Sequence, residues 1–167
     1  MREQTGDLFQ VAAQDADALV ITTNGFVKND GSAVMGRGVA KQAADRWPWL
    51  PRELGFRLNN SGNHVYAWRP DEHLTGFYIV TFPVKHHWRE MADTQLIGRS
   101  ADELVLFARA HEDVRTVVMP RPGCGNGGLL WLDATVVISG TLLVGVKGLV
   151  EDRLDDRFVV VCNEEQA

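Results

Sequence analysis

The sequence predicts a layered α/β fold, with a central sheet covered by helices on both faces. Three observations predict it. Five short runs are continuously apolar rather than alternating, as strands buried on both faces must be. Helix-like stretches lie between these runs. Two glycine-rich segments follow strands, the place where open α/β sheets hold their ligands.

In chain order, the first strand spans 18–23 and is ended by Asn24. A glycine-rich loop over 29–41 leads into a helix over 39–47, rich in Ala, Lys, Gln and Arg, which stops before Pro48. Strands follow at 64–68 and 76–82. The stretch 94–111 places Leu96, Ala101, Leu104, Phe107 and Ala108 at roughly helical spacing, with charges opposite. A strand at 116–119 runs into a second glycine loop over 119–131, and the last strand spans 158–162. The segment 132–151 carries conflicting signals. By propensity, Thr135 to Val144 with Ser139 and Gly140 at its centre reads as a β-hairpin. A buried helix with Asp133 in its first turn and Lys147 near its end fits the alternation of elements better, and helix is the expectation.

The 167 residues are expected to form one domain, 1–167, without repeats or linkers. A composition of 45% hydrophobic and 23% charged residues is that of a globular protein. Acidic residues (22) exceed basic ones (17), for a formal net charge of -5. That balance counts against a protein whose main work is gripping duplex DNA through many phosphates. No apolar run approaches the roughly 18 residues of a membrane span, and residues 1–10 lack the apolar centre of a signal peptide. Cys124 and Cys162 cannot make a disulfide framework and fit a reducing compartment. A cytoplasmic monomer without membrane contact, metal or cofactor is the expectation.

Six of the 16 glycines stand at positions 31, 36, 38, 123, 125 and 127. Glycine lets backbone N–H groups approach a ligand closely, and a following helix N-terminus favours an anion there. The first loop is not a dinucleotide fingerprint, because Gly36 and Gly38 lack the third glycine, and no Walker pattern occurs. Taken alone it could equally be a surface turn. The second loop places four glycines between 123 and 128, each costing about 0.5–1 kcal/mol in regular structure. Two such loops after strands point together to a diphosphate held between them by backbone donors.

Three separated motifs resemble a known family. Gly6, Asp7, Leu8 and Phe9, then the strand ending at Asn24, then Met35, Gly36, Arg37, Gly38, Val39 and Ala40 resemble the opening pattern of the macrodomains. The segment 120–131 resembles the phosphate loop of the branch that holds the DarG-type DNA ADP-ribosyl glycohydrolases and the terminal ADP-ribose protein glycohydrolase. Phe82, Pro83, Lys85, His87, Trp88 and Arg89 resemble that branch's other signature. The resemblance runs from about Gly6 to Cys162, in the right order. It implies a three-layer α/β/α fold with a mixed central sheet, and ADP-ribose as ligand. Asp7 would accept from the adenine amine, although by itself it reads as a cap residue, and the Leu8 N–H would meet a ring nitrogen. Asn24 would contact the distal ribose. Gly36, Gly38 and Val39 would line one side of the diphosphate; Gly123, Cys124, Gly125, Asn126 and Gly127 would line the other. Trp88 and Trp131 would stack on a base or wall the cleft. The implied partners are ADP-ribose, ADP-ribosylated DNA or protein, and a cognate ADP-ribosyltransferase.

Lys85 is the candidate catalytic residue. An amine is a nucleophile only when neutral, so burial or nearby cations must lower its pKa. His86, His87 and Arg89 are the expected cations. The resemblance implies that Lys85 attacks the anomeric carbon of the distal ribose, giving a lysyl–ADP-ribose intermediate that water releases. The implied activity removes ADP-ribose from a macromolecule, a DNA base being favoured over a protein acidic side chain. The alternatives are a non-catalytic binder of ADP-ribose or a related nucleotide, and hydrolysis of ADP-ribose 1″-phosphate. The chain departs from the branch pattern twice: Gly127 stands where the protein glycohydrolase carries an aspartate, and Leu130 stands at another usual aspartate. A Cys124 nucleophile would need His64, His86 or His87 beside it, and a zinc site from His86, His87 and Cys124 lacks ligand spacing. Trp47 and Trp49 are expected over the core, with His73 and His111 as exposed turn residues.

Overall fold

A computed structural model of the chain describes residues 1–163. Its frame is a six-stranded sheet in the order β1-β8-β5-β2-β4-β3, formed by β1 (Arg2–Thr5), β2 (Ala18–Asn24), β3 (Tyr66–Trp68), β4 (Tyr78–Lys85), β5 (Val117–Pro120) and β8 (Phe158–Cys162). All neighbours pair in parallel except β3, which runs antiparallel to β4 at the edge. The continuous apolar runs have the predicted cause. Along β2, Ala18 and Val20 enter one core while Leu19 and Ile21 enter the other; Val117 and Met119 oppose Val118 in β5. The central strands are thus apolar on both faces because each face has its own helical cover.

One cover is α1 (Leu8–Asp15), α2 (Gly38–Arg46) and α3 (Leu50–Ser61), which supply Leu8, Phe9, Ala43, Leu50, Leu54 and Leu58. The other is α5 (Thr94–Ala110) and α6 (Lys147–Glu151), which supply Ile97, Ala101, Leu104 and Val150. Three layers, α/β/α, result. A short helix α4 (Pro70–His73) links β3 and β4. Asp93 caps α5, its Oδ1 accepting from the N–H groups of Gln95 (2.9 Å) and Leu96 (3.2 Å). Pro83 is tolerated inside β4 because β3 reaches only as far as Thr81, so no ladder bond is lost on that side.

The expected buried helix over 132–151 is corrected. The segment forms a hairpin of β6 (Val136–Ile138) and β7 (Thr141–Leu143), and only its end is helical, as α6. Ser139 (φ 50°) and Gly140 (φ 78°) both take positive φ, the two-residue turn that matches strand twist. The β-branched residues decide the outcome locally, since Val137, Ile138 and Leu142 stay exposed and no core contact pulls them into a helix. Asp133 instead pairs with Lys147 at 3.1 Å. His73 and His111 are half-buried rather than exposed: His73 stacks on Trp49 at 3.6 Å, and His111 lies against Phe107 and Tyr78. Among the described residues no helix is long and apolar enough to cross a membrane.

Candidate functional site

The strands β2, β4 and β5 end side by side with β2 in the middle; the chain leaves β2 through α2 and α3 on one face of the sheet and leaves β4 through α5 on the other, on its way to β5. At such a switch point the chain must open a crevice at the carboxyl ends of the strands. Here it is a cavity of about 670 Å³, floored by Thr23, Asn24, Val84, Lys85 and Pro120. The first glycine loop makes one wall with Gly36, Gly38 and Val39; Gly123, Cys124, Gly125, Asn126 and Gly127 make the other. Trp88, Phe26 and Lys28 stand on the rim.

Local geometry aims the polar groups of this cleft. Gly38 opens α2 at φ 57°. The first i→i−4 bond there runs from Lys41 N–H to Arg37 O, so the N–H groups of Gly38, Val39 and Ala40 have no acceptor within the helix. The second loop takes a short 3₁₀ turn over Gly125–Gly127. Among the described lining residues, the charged side chains are Lys28, Arg37, Lys85 and Arg121, with no carboxylate. A chain of net charge -5 therefore presents a cationic cleft.

Lys85 reaches this position through a register shift. Thr23 pairs with Pro83, but Asn24 pairs with Lys85, so β4 carries one extra residue there. The Lys85 carbonyl is held by Gly25 N–H (3.1 Å) and the Asn63 amide (3.2 Å). Its Nζ donates to the carbonyls of Glu90 (3.0 Å) and of Asn126 (3.1 Å) in the second glycine loop. Burial and the Arg37 guanidinium hold its pKa below the ordinary lysine value, with Glu90 opposing. The expectation that His86, His87 and Arg89 supply this field is corrected. His86 pairs with Asp93 (3.2 Å), His87 lies against Phe26 and Trp88, and Arg89 covers Trp88. Arg37 was overlooked, although it stands between the two glycines of the first loop.

Asn24 lines the floor with its amide already engaged: Nδ2 donates to Val34 O (2.9 Å), and Oδ1 accepts from Phe26 N–H (3.0 Å). Asp7 and Leu8 lie outside the lining. Asp7 caps α1 by accepting from Gln10 N–H (2.9 Å), and Leu8 is buried in the core beneath α1. Trp131 is also outside it, its Nε1 donating to Glu3 (3.1 Å) while Arg121 covers its ring. Burial pushes the Cys124 thiol up to about 11, with Arg121 opposing. No thiolate–imidazole pair forms, because His64 and His86 are engaged by Glu103 and Asp93 and His87 by the rim aromatics. Among the described residues no group of three or more His, Cys, Asp or Glu gathers to hold a metal ion.

No protein-family model matches the chain. A protein of Mycobacterium tuberculosis named DNA ADP-ribosyl glycohydrolase is 30% identical to it over 134 residues, which cover 77% of this chain and 35% of that protein. The chain thus spans about a third of the length of the curated relatives it matches. The solved macrodomain of Thermus aquaticus DarG superposes with a TM-score of 0.73 at 25% identity, covering 96% of this chain and 95% of that one. The Thermosipho africanus DarTG structure in complex with ADP-ribose superposes with a TM-score of 0.74 at 20% identity, covering 99% of this chain and 43% of that one.

Proposed function

The chain has the macrodomain fold and matches the DarG macrodomains, and from that premise we propose that it is an ADP-ribosyl glycohydrolase acting on a modified DNA base. The observation that carries this reading is the Lys85 amine, held in the cleft by the carbonyls of Glu90 and Asn126 with its pKa lowered.

The N–H groups at the start of α2, which have no acceptor within the helix, and the second loop meet the diphosphate. Arg37 and Arg121 add charge, and Asn24 faces the distal ribose. Neutral Lys85 attacks the anomeric carbon. The new C–N bond forms as the bond to the base breaks; the electron pair leaves with the base nitrogen, which takes up a proton. The lysyl nitrogen then loses its extra proton. Water next attacks the same carbon, its hydroxyl staying on the ribose, while the lysyl nitrogen departs and recovers a proton. ADP-ribose and free Lys85 result. Because Gly127 supplies no carboxylate, the water is activated without a loop aspartate.

The test is release of ADP-ribose from thymidine-, guanosine-, glutamate- and phosphate-linked substrates. Wild-type protein releases it from a nucleoside-linked substrate, and Lys85→Ala abolishes release while ADP-ribose still binds by calorimetry. Binding of ADP-ribose with no release from any of the four would make the chain a binding module. Release confined to the phosphate-linked substrate would make it a phosphatase.

A further inference from the structure

Lys85 ends β4 at a bulge whose carbonyls are held one by one. Ser100 Oγ donates to Pro83 O (2.7 Å) and Asp93 N–H to Val84 O (2.8 Å), from α5 and its cap. The Lys85 carbonyl is held by Gly25 N–H (3.1 Å) and by the side-chain amide of Asn63, Nδ2 at 3.2 Å. Space is left for that amide: a Cβ on Gly25 would lie 2.7 Å from Asn63 Nδ2 and 3.1 Å from the His86 carbonyl oxygen. Asn63 Oδ1, by contrast, is buried with no hydrogen-bond partner among the described residues. A buried acceptor left unpaired costs stability, so folding alone gives no reason for an amide here. The bond its Nδ2 makes is to the backbone of Lys85.

Asn63 is itself braced. Its backbone carbonyl accepts from the Arg99 guanidinium, and Arg99 Nε lies 3.4 Å from Glu103 Oε1. The Glu103 carboxylate also pairs with His64 Nδ1 (2.7 Å) and accepts from Val65 N–H (2.8 Å). The helix α5 therefore holds the segment 63–65 as it holds Pro83 and Val84. Asn63 is not among the residues that line the cleft, so it reaches a ligand only through Lys85. A bulge re-aims the side chain beside it, and a reacting group misplaced by about 1 Å can lose about 100-fold in rate. We infer that Asn63 is a positioning residue: its amide, braced on α5 through Arg99 and Glu103, fixes the Lys85 backbone so that the amine stays on the carbonyls of Glu90 and Asn126. This inference rests on the glycohydrolase reading for its effect on rate, but one arm of its test needs no turnover.

The experiment compares wild-type protein with Asn63→Ala, Arg99→Gln and the double variant. In ADP-ribose release from the nucleoside-linked substrate, Asn63→Ala lowers kcat about tenfold, with KM and the calorimetric affinity for ADP-ribose unchanged. Arg99, whose side chain is exposed, gives a smaller fall as Arg99→Gln. The double variant matches Asn63→Ala, because Arg99 acts through Asn63. The second arm is acetylation of Lys85 by acetic anhydride, read by mass spectrometry. In Asn63→Ala it sets in at higher pH than in wild type, since the released amine leaves the burial and the Arg37 charge that lower its pKa. Wild-type kcat in Asn63→Ala overturns the inference, as do falls that multiply in the double variant. If wild-type protein releases ADP-ribose from no substrate, the hydrolase reading fails and acetylation decides: a shifted Lys85 profile upholds the positioning role and an unchanged one overturns it. Should Asn63→Ala not fold, Arg99→Gln carries the test, and wild-type kcat and acetylation in that variant overturn the inference.

Discussion

Gly38 and Asn126 meet across the cleft so closely that a Cβ on Gly38 would lie 2.7 Å from the Asn126 Nδ2. The backbone carbonyl of the same Asn126 receives Lys85 Nζ at 3.1 Å. Three segments far apart in sequence are thereby held at one point, and the contact sets the width of the cleft between the loops.

Gly38→Ala tests that width. The φ of 57° is one an L side chain adopts at a cost of about 1–2 kcal/mol, and the added methyl displaces the Asn126 side chain. ADP-ribose affinity by calorimetry falls roughly tenfold. An unchanged affinity would mean that the first loop does not touch the ligand.

The pH dependence of release follows from Lys85. Burial and Arg37 lower its pKa, so the neutral amine becomes populated at lower pH than for a free lysine. The rate of release rises with pH and levels off above that lowered value. Arg37→Gln removes the repelling cation, raises the pKa and moves the rising limb to higher pH. Glu90→Gln removes the opposing carboxylate and moves it to lower pH. Between the lowered and ordinary lysine values the folded chain binds fewer protons than the unfolded one, so this group's contribution to stability grows as pH rises. Profiles of kcat against pH for the three proteins check the signs, and coincident profiles would refute the electrostatic account.

Gly55 tests the packing behind the first wall. A Cβ there would overlap the Gly31 carbonyl oxygen and come within 2.9 Å of the Ala33 nitrogen. Both contacts are backbone, so neither can swing aside. Gly55→Ala forces α3 away from the loop, costs about 2 kcal/mol and lowers Tm by about 5 °C. A melting curve that matches the wild-type one would show the loop yields freely.

The thiol of Cys124, pushed up to about 11 by burial, is protonated at neutral pH. Alkylation by iodoacetamide, followed by mass spectrometry, is therefore slow at neutral pH and accelerates only as pH approaches that value. Fast labelling of Cys124 at neutral pH would reopen the thiol chemistry that this burial closes.

Much of the sheet was readable from sequence because its signal is local. Each of the runs near 18–23, 76–82 and 158–162 is apolar on both sides of the strand, and each became a strand. The edge strand β1 was invisible, since Arg2, Glu3, Gln4 and Thr5 are all exposed and carry no burial pattern. The helices α1 and α3 were missed as well, and their boundaries rest on the Asp7 cap and the Gly62 end. The hairpin was readable by propensity, and the expected alternation of elements overrode a correct local signal.

The sequence by itself determined where backbone would be bare, through its two clusters of glycine, and that a lysine would stand near the end of a buried strand; the structure makes Lys85 the last residue of β4. Glycine content and apolar continuity act within a few residues, so they survive without tertiary context. Tertiary structure alone decided what surrounds that lysine. Arg37 comes to it from the first glycine loop, far away in the chain, whereas His86, its chain neighbour, is drawn off to Asp93. Trp131 is likewise turned out of the cleft toward Glu3 on β1. Side-chain direction depends on the strand register and on partners brought in by packing, and neither is written in local spacing.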